Sequence, residues 1–385
     1  MLSFCAFTAQ AQLDSLQQLP EVIVSDVKLR ANTAGVSIQT ITDSILQKSR
    51  TSLTGLLQTN TLIYLRENGP NGVSSPSFRG TNAQQTAVVW NGINLNSQLT
   101  GQTDINTIST KNYDNVSVRS GGGGVIYGSG AIGGSIHLEN DIHFGNEFKN
   151  EISTGYGSFN TQLVNAKTSF SKTKWHIDAG VDYQNSDNDF EYLGTDQSNE
   201  NGEFENVNFN VNVGYLLESS SKRKQLLKLY HNTFLSDRNF AGTLTAVSND
   251  AFEDQNTRTL AVWERLGKKY EGTLRAAHIF EQFRFFDNTD NREFFSLGKS
   301  SRFVANYDAG ITIDAKKKLT LSGEFNSITA DGTSIEDQSR TVGSLVALWK
   351  HTISNRFSYE VQARQETVSD FDSPFLVSIL SLIHI

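Results

Sequence analysis

Cysteine and methionine occur once each, and proline four times, in 385 residues. The lone Cys5 excludes an intramolecular disulfide and a cysteine-built zinc cluster. Scarcity of proline leaves long segments without the ring that interrupts sheet hydrogen bonding. No run of about 18 apolar residues occurs, so no transmembrane helix is read from the chain. That absence does not touch a membrane barrel, whose strands are only half apolar. Positive charge is short as well: 33 Lys and Arg against 41 Asp and Glu give a formal net charge of -8. Such a balance argues against an electrostatic grip on nucleic acid. The seven histidines are scattered without H-E-x-x-H or other ligand spacing. No nucleophile elbow or catalytic carboxylate pair stands out, and nothing recommends an enzyme.

Phe, Tyr, Asn, Ser, Thr and Gly are plentiful instead, a mixture that favours strands and turns. Residues 1–12 read as the remnant of a secretory signal. Leu2 to Phe7 forms its apolar core and Ala9-Gln10-Ala11 an A-x-A-like cleavage site; a ragged terminus is the alternative. From Glu21 to Asn140 the pattern is compact and mixed. Thr42 or Asp43 can cap a short helix through Lys48, and Thr51 or Ser52 another through Gln58. Short strands follow at Thr86–Trp90, Asn115–Arg119 and Ser135–Leu138.

After Asn140 the grammar changes to long alternations, as in Trp175–Tyr183, where odd positions are apolar and even ones polar or Gly. Roughly eleven such strands, many of about 10 to 13 residues, fit between Glu147 and Phe371. They suit tilted membrane-spanning strands with Tyr156, Trp175, Tyr183, Tyr215, Trp263, Trp349 and Tyr359 in interfacial girdles. A soluble β-sandwich also alternates and is the competing reading.

The stretch GGGGVIYGSGAIGGSIHLEN, residues 121–140, contains G-x-G-x-x-G at Gly128, Gly130 and Gly133. A dinucleotide site requires those glycines to open a helix after a buried strand. Here an alternating segment, Ser135 to Leu138, follows, so Gly128, Gly130, Gly133 and Gly134 read as a backbone hinge with positive φ or close packing.

Asn115-Val-Ser-Val-Arg-Ser-Gly-Gly with Val125-Ile-Tyr-Gly-Ser-Gly-Ala-Ile-Gly-Gly-Ser-Ile-His-Leu resembles the end of the plug domain of TonB-dependent outer-membrane receptors. Ser77-Phe-Arg-Gly80 and Gln85-Thr-Ala-Val-Val-Trp-Asn-Gly-Ile-Asn-Leu95 resemble central plug motifs, and Leu19-Pro-Glu-Val-Ile-Val-Ser25 the Ton box. The wording is most similar to that of cobalamin receptors of the Bacteroidetes type, with ferric siderophore receptors next. The resemblance implies an N-terminal α+β plug at 31–140, preceded by a Ton box and linker at 13–30. It implies the first half of an antiparallel transmembrane β-barrel at 141–374, the family barrel having about twenty-two strands. Residues 375–385, where alternation collapses, read as a non-native tail on a truncated chain, a hydrophobic strand being the alternative.

The function so implied is capture of cobalamin or another corrinoid at the outer face, then energy-dependent import. The alternatives are a ferric siderophore as ligand, or a non-transporting barrel or adhesin. Glu21, Val22, Ile23, Val24 and Ser25 are the segment to pair edge-to-edge with TonB. The resemblance implies that Arg79 and Arg119 lock the plug to carboxylates of the barrel wall. Candidate ligand contacts are the polar plug loops carrying Asn68, Asn71, Ser74, Ser75, Asn94, Asn96 and Gln98. Asp187, Asp189 and Asp196 crowd one acidic loop and are candidate calcium ligands; no other cofactor is expected.

Overall fold

The computed structural model describes residues 36–48, 52–67, 69, 71–220, 222–287 and 291–383. The Ton box segment Glu21–Ser25 and Asn68 lie outside the described residues.

Ser52 accepts a hydrogen bond from the Gly55 amide and caps the helix Leu53–Asn60, whose Leu53, Leu56 and Leu57 face the core. A shorter helix, Asp43–Lys48, precedes it, so both helices lie where caps and apolar spacing place them. The first sheet is mixed and runs in the order β1-β6-β7-β4-β5. Its strands are β1 (Ser37–Thr42), β4 (Thr86–Trp90), β5 (Ile93–Asn94), β6 (Asn115–Ser120) and β7 (Gly134–Glu139). β7 is central, antiparallel to β6 and parallel to β4. Every residue of β4 and β7 is buried. A two-stranded ribbon, β2 (Tyr64–Glu67) with β3 (Ser74–Ser77), completes this domain.

A second sheet of 12 strands follows, each antiparallel to its neighbour in the chain. It comprises β8 (Glu147–Tyr156), β9 (Gln162–Ser171), β10 (Trp175–Ser186), β11 (Phe204–Ser219), β12 (Arg223–Asn239) and β13 (Ala251–Gly267). Then come β14 (Tyr270–Phe286), β15 (Ser296–Asp314), β16 (Lys317–Gly332), β17 (Ile335–Ser354), β18 (Phe357–Val368) and β19 (Leu376–Ile383). The strand count exceeds the expected eleven because Leu376–Ile383 pairs with β18 as a final strand. Strands β11 to β17 run 16 to 20 residues, longer than expected. Their extra length continues past the apolar alternation into polar segments such as Phe252–Arg258, which still hold the ladder.

One face of this sheet carries Asn206, Asn208, Asn210 and Asn212 of β11, all buried against the first domain. The opposite face exposes Trp175, Ile177, Phe209, Leu229, Phe303 and Leu345, an apolar surface of the kind a barrel turns to lipid. The long connections, Ser186 to Phe204, Asn239 to Ala251 and Phe286 to Ser296, share one end of the sheet. Two- to three-residue turns join the strands at the other end, at 172–174, 220–222, 268–269, 315–316 and 355–356.

Candidate functional site

The two domains meet over a continuous core. Trp90, Ile93, Leu95, Ile136 and Leu138 of the first domain share one apolar cluster with Tyr230, Leu260, Ala277, Ile279 and Val304 of the wall. Trp90 meets Tyr230 edge-on at 6.3 Å between centroids.

Asn91 and Gly92 turn the chain from β4 into β5 with φ of 45° and 92°. Asn-Gly is the pair that such a turn favours, because both central residues need positive φ. The Arg275 guanidinium of β14 lies on this turn. Its Nε donates to the Asn91 carbonyl at 2.9 Å, and its Nη1 donates to Asp308 and to Asn306 at 2.9 Å. Asn140, at the exit of β7, gathers the same corner. Its Oδ1 accepts from Trp90 Nε1 and from Asn91 Nδ2, both at 3.0 Å, and its amide N–H donates to Asn91 Oδ1 at 3.0 Å. Its side chain also donates to the Asn112 carbonyl, and Tyr230 Oη donates to its own carbonyl at 3.4 Å.

Toward the end with the long connections, Arg238 of β12 bridges the two domains. It meets Asp104 of the first domain at 3.0 Å and Asp254 of β13, and donates to the Asn71 carbonyl at 3.2 Å. Arg238 is 2 % exposed, so its charge depends on those carboxylates. Arg302 of β15 donates to the Asn94 carbonyl. Glu281 accepts from Ser97 Oγ at 3.0 Å and from the Gln98 amide at 2.8 Å. Burial pushes the Tyr113 phenol above its ordinary range although Arg258 hydrogen-bonds it, so the phenol stays protonated beside that guanidinium.

The arginines expected to lock the domains sit differently. Arg79 is exposed, at φ 50° in the turn Phe78–Thr81, and makes no ion pair among the described residues. Arg119 is fully buried and donates from Nη2 to the Gly122 carbonyl at 3.3 Å, with no carboxylate partner among the described residues. The polarity of the observed contacts is reversed: the wall supplies most of the cations and the first domain the carbonyls and Asp104.

Of the candidate ligand contacts, Ser74 and Asn96 are buried and serve the scaffold. Ser74 accepts from Thr54 at 2.7 Å, and Asn96 bonds the Val88 amide and the carbonyls of Thr86 and Gly101. Ser75 reaches Gln102 at 3.4 Å, and Asn94 Oδ1 accepts from the Asn96 amide at 2.8 Å. Gln98 is exposed near Glu281, while Asn71 holds φ 57° beside Arg238.

The glycine run is divided in its duties. Gly128 has φ 88°; a Cβ on Gly134 would lie 2.6 Å from the Arg119 carbonyl; one on Gly133 would strike Thr81. Gly130 has more room, its nearest atoms being 3.6 Å from such a Cβ. A β-strand follows the run, as the sequence reading requires.

The calcium candidates are not brought together. Asp187, Asp189 and Asp196 are each exposed, and no group of three or more potential ligands forms among the described residues. Asparagine amides hold that loop instead. Asn188 Nδ2 donates to Gly202 at 3.0 Å, Asn199 Nδ2 to Asn188 at 2.9 Å, and Asn201 Nδ2 to Phe240 and Asp250 at 3.0 Å each.

The family described as TonB-dependent Receptor Plug Domain matches residues 30–135, the span that forms the first domain. The chain carries a TonB-dependent receptor plug. A vitamin B12 transporter, BtuB, from Vibrio vulnificus is 31% identical over 126 residues, covering 32% of this chain and 20% of that protein. The siderophore receptor PirA from Acinetobacter baumannii superposes with a TM-score of 0.72 at 13% identity, covering 93% of this chain and 60% of that one. The FrpB iron transporter from Neisseria meningitidis gives 0.72 at 12% identity, over 89% and 61%. The copper transporter OprC gives 0.65 at 13%, over 85% and 56%. These likenesses show the fold: a plug held against an antiparallel wall consistent with half a receptor barrel. The chain spans a fifth of the curated relative and 56% to 61% of these solved structures. Among the residues that seat the plug, Arg238, Arg275, Arg302 and Asn140 escaped the sequence reading. Only the Asn91-Gly92 pair carried a local signal, that of a tight hairpin.

Proposed function

We propose that this protein is a TonB-dependent outer-membrane receptor that captures cobalamin or another corrinoid and imports it to the periplasm. The observation that carries the reading is the plug itself, seated on the polar face of a sheet whose other face is apolar. A passive barrel or adhesin has no use for a folded domain filling its interior. The end with the long connections faces the cell exterior in this reading, following the usual barrel asymmetry. Support for a corrinoid comes from the 31% identity to the Vibrio vulnificus transporter, against 12% to 14% for the siderophore receptors. The reading requires no Bacteroidetes origin. TonB would engage Glu21–Ser25, upstream of β1.

Outer-membrane vesicles bearing the protein should bind cyanocobalamin saturably, with displacement by cobinamide and not by ferric siderophores. Uptake in cells should stop when the proton gradient is collapsed, while binding persists. Saturable binding of a ferric siderophore with none of cyanocobalamin would replace the ligand assignment with the siderophore alternative.

A further inference from the structure

The plug is held unequally around the wall. Against β12 to β15 it is bolted by Arg238, Arg275, Arg302 and Glu281 and sealed by the shared apolar core. Against β8 to β11 the interface is wet and loosely joined. A cavity of about 370 Å³ opens there between plug and wall, toward the long-connection end, lined by Asn106, Ser109, Asp182, Gln184 and Asn206. A second of about 160 Å³ lies toward the short-turn end, lined by Asp114, Lys167, Ser169, His176 and Asp178. Both cavities share β8, β9 and β10. Three polar contacts cross between plug and wall in this sector. Ser109 donates to Asp182 at 2.7 Å, Asn112 to Asn208 at 2.6 Å, and Lys167 to Asp114 at 3.3 Å.

We infer that the translocation path of this receptor runs along the inner face of β8 to β11, and that the Ser109–Asp182, Asn112–Asn208 and Lys167–Asp114 contacts are its gate. A few exposed or half-buried polar contacts exchange readily with water, whereas separating the apolar seam on β12 to β15 exposes dry surface to it. A displaced plug therefore parts from the β8–β11 wall and pivots on the β12–β15 wall. The amide, hydroxyl and charged groups along that wall suit a hydrophilic ligand rich in hydrogen-bonding groups. This deepens the importer reading and rests on it.

The test uses cysteine reporters in the whole receptor with Cys5 replaced by serine. In energised cells given cyanocobalamin, Ser169→Cys should react with an externally added, membrane-impermeant maleimide at least fivefold faster than in cells treated with a protonophore. Ala277→Cys, on the bolted wall, should show no such change. A disulfide bridge between Ser109→Cys and Asp182→Cys should abolish the change at position 169. It should also reduce cyanocobalamin uptake at least tenfold with binding retained, both being restored by reductant. Retained binding and recovery on reduction separate a closed gate from a misfolded variant. Faster labelling at 277 in place of 169, or full uptake through the bridged protein, would overturn the path. Absence of cyanocobalamin binding in the unbridged protein would sink the ligand assignment alone. The labelling comparison is then read with ferric siderophore supplied instead, and equal rates at 169 with and without energy would overturn the path.

Discussion

Arg275 covers Gly92 so closely that a Cβ on that glycine would lie 2.7 Å from the guanidinium carbon. The wall arginine thus recognises the absence of a side chain. Gly92→Ala should loosen the plug through two costs: strain at φ 92°, about 1–3 kcal/mol, and displacement of Arg275 from the Asn91 carbonyl. Limited proteolysis of the plug in detergent-solubilised protein checks this; unchanged protection would contradict it.

Asn140 should be the most sensitive uncharged polar residue of the interface. Asn140→Ala removes the side-chain partners of Trp90, Asn91 and the Asn112 carbonyl together, a loss of about 2–4 kcal/mol. The buried Trp90 indole would then lack its acceptor. A fall in the thermal midpoint, with a shift in Trp90 fluorescence, is the expected result.

Removal of Arg238 should cost more than removal of either carboxylate beside it. Arg238→Ala leaves Asp104 and Asp254 without their shared cation, a loss of about 3–5 kcal/mol. Asp104→Asn leaves Arg238 still paired with Asp254 and should be milder. Thermal midpoints of the two variants give the order, and the reverse order would show that the bridge is not the seat of this contact.

Within the glycine run, Gly134→Ala should prevent plug closure, because its Cβ would press on the Arg119 carbonyl and on Phe78 at 2.9 Å. Gly130→Ala should be tolerated, its neighbours standing at ordinary contact distance. Protease protection of the two variants should therefore differ sharply; similar behaviour would refute the packing account.

The acidic loop should ignore calcium. Asp187, Asp189 and Asp196 changed together to asparagine should leave the loop as protected from protease as before, with or without chelator. Asn201→Ala should expose it, since that amide ties the loop to the carbonyls of Phe240 and Asp250.

Legibility followed the range of the interactions. The helix Leu53–Asn60 was readable because its cap and apolar face are local. The strands after Glu147 were readable from alternation that the pleat imposes. By contrast, β1 was not read: Ser37–Thr42 has little apolar character, and its only sheet partner is β6, 77 residues away at the Thr40–Ser117 contact. Arg238 was missed for the same reason. A lone arginine on an alternating strand looks alike whether it meets water or Asp104, and 134 residues separate the two. Arg79 and Arg119 were singled out by motif, which marks position in the chain and leaves partners unspecified. The acidic loop misled because carboxylates attract attention, while its order comes from asparagines that resemble any turn.

The placement of β7 has a consequence for assembly. The wall strands join in chain order, each to the next, so they can zip together through local hairpins. The plug sheet cannot. β1 and β6 form one pair, β4 and β5 another, and only β7 stitches them. It is the last plug strand to emerge in the chain and leads within a few residues into β8. Completion of the plug is thereby tied to the moment its container begins to form, which favours a plug that matures inside the wall over one that folds first and is wrapped afterwards.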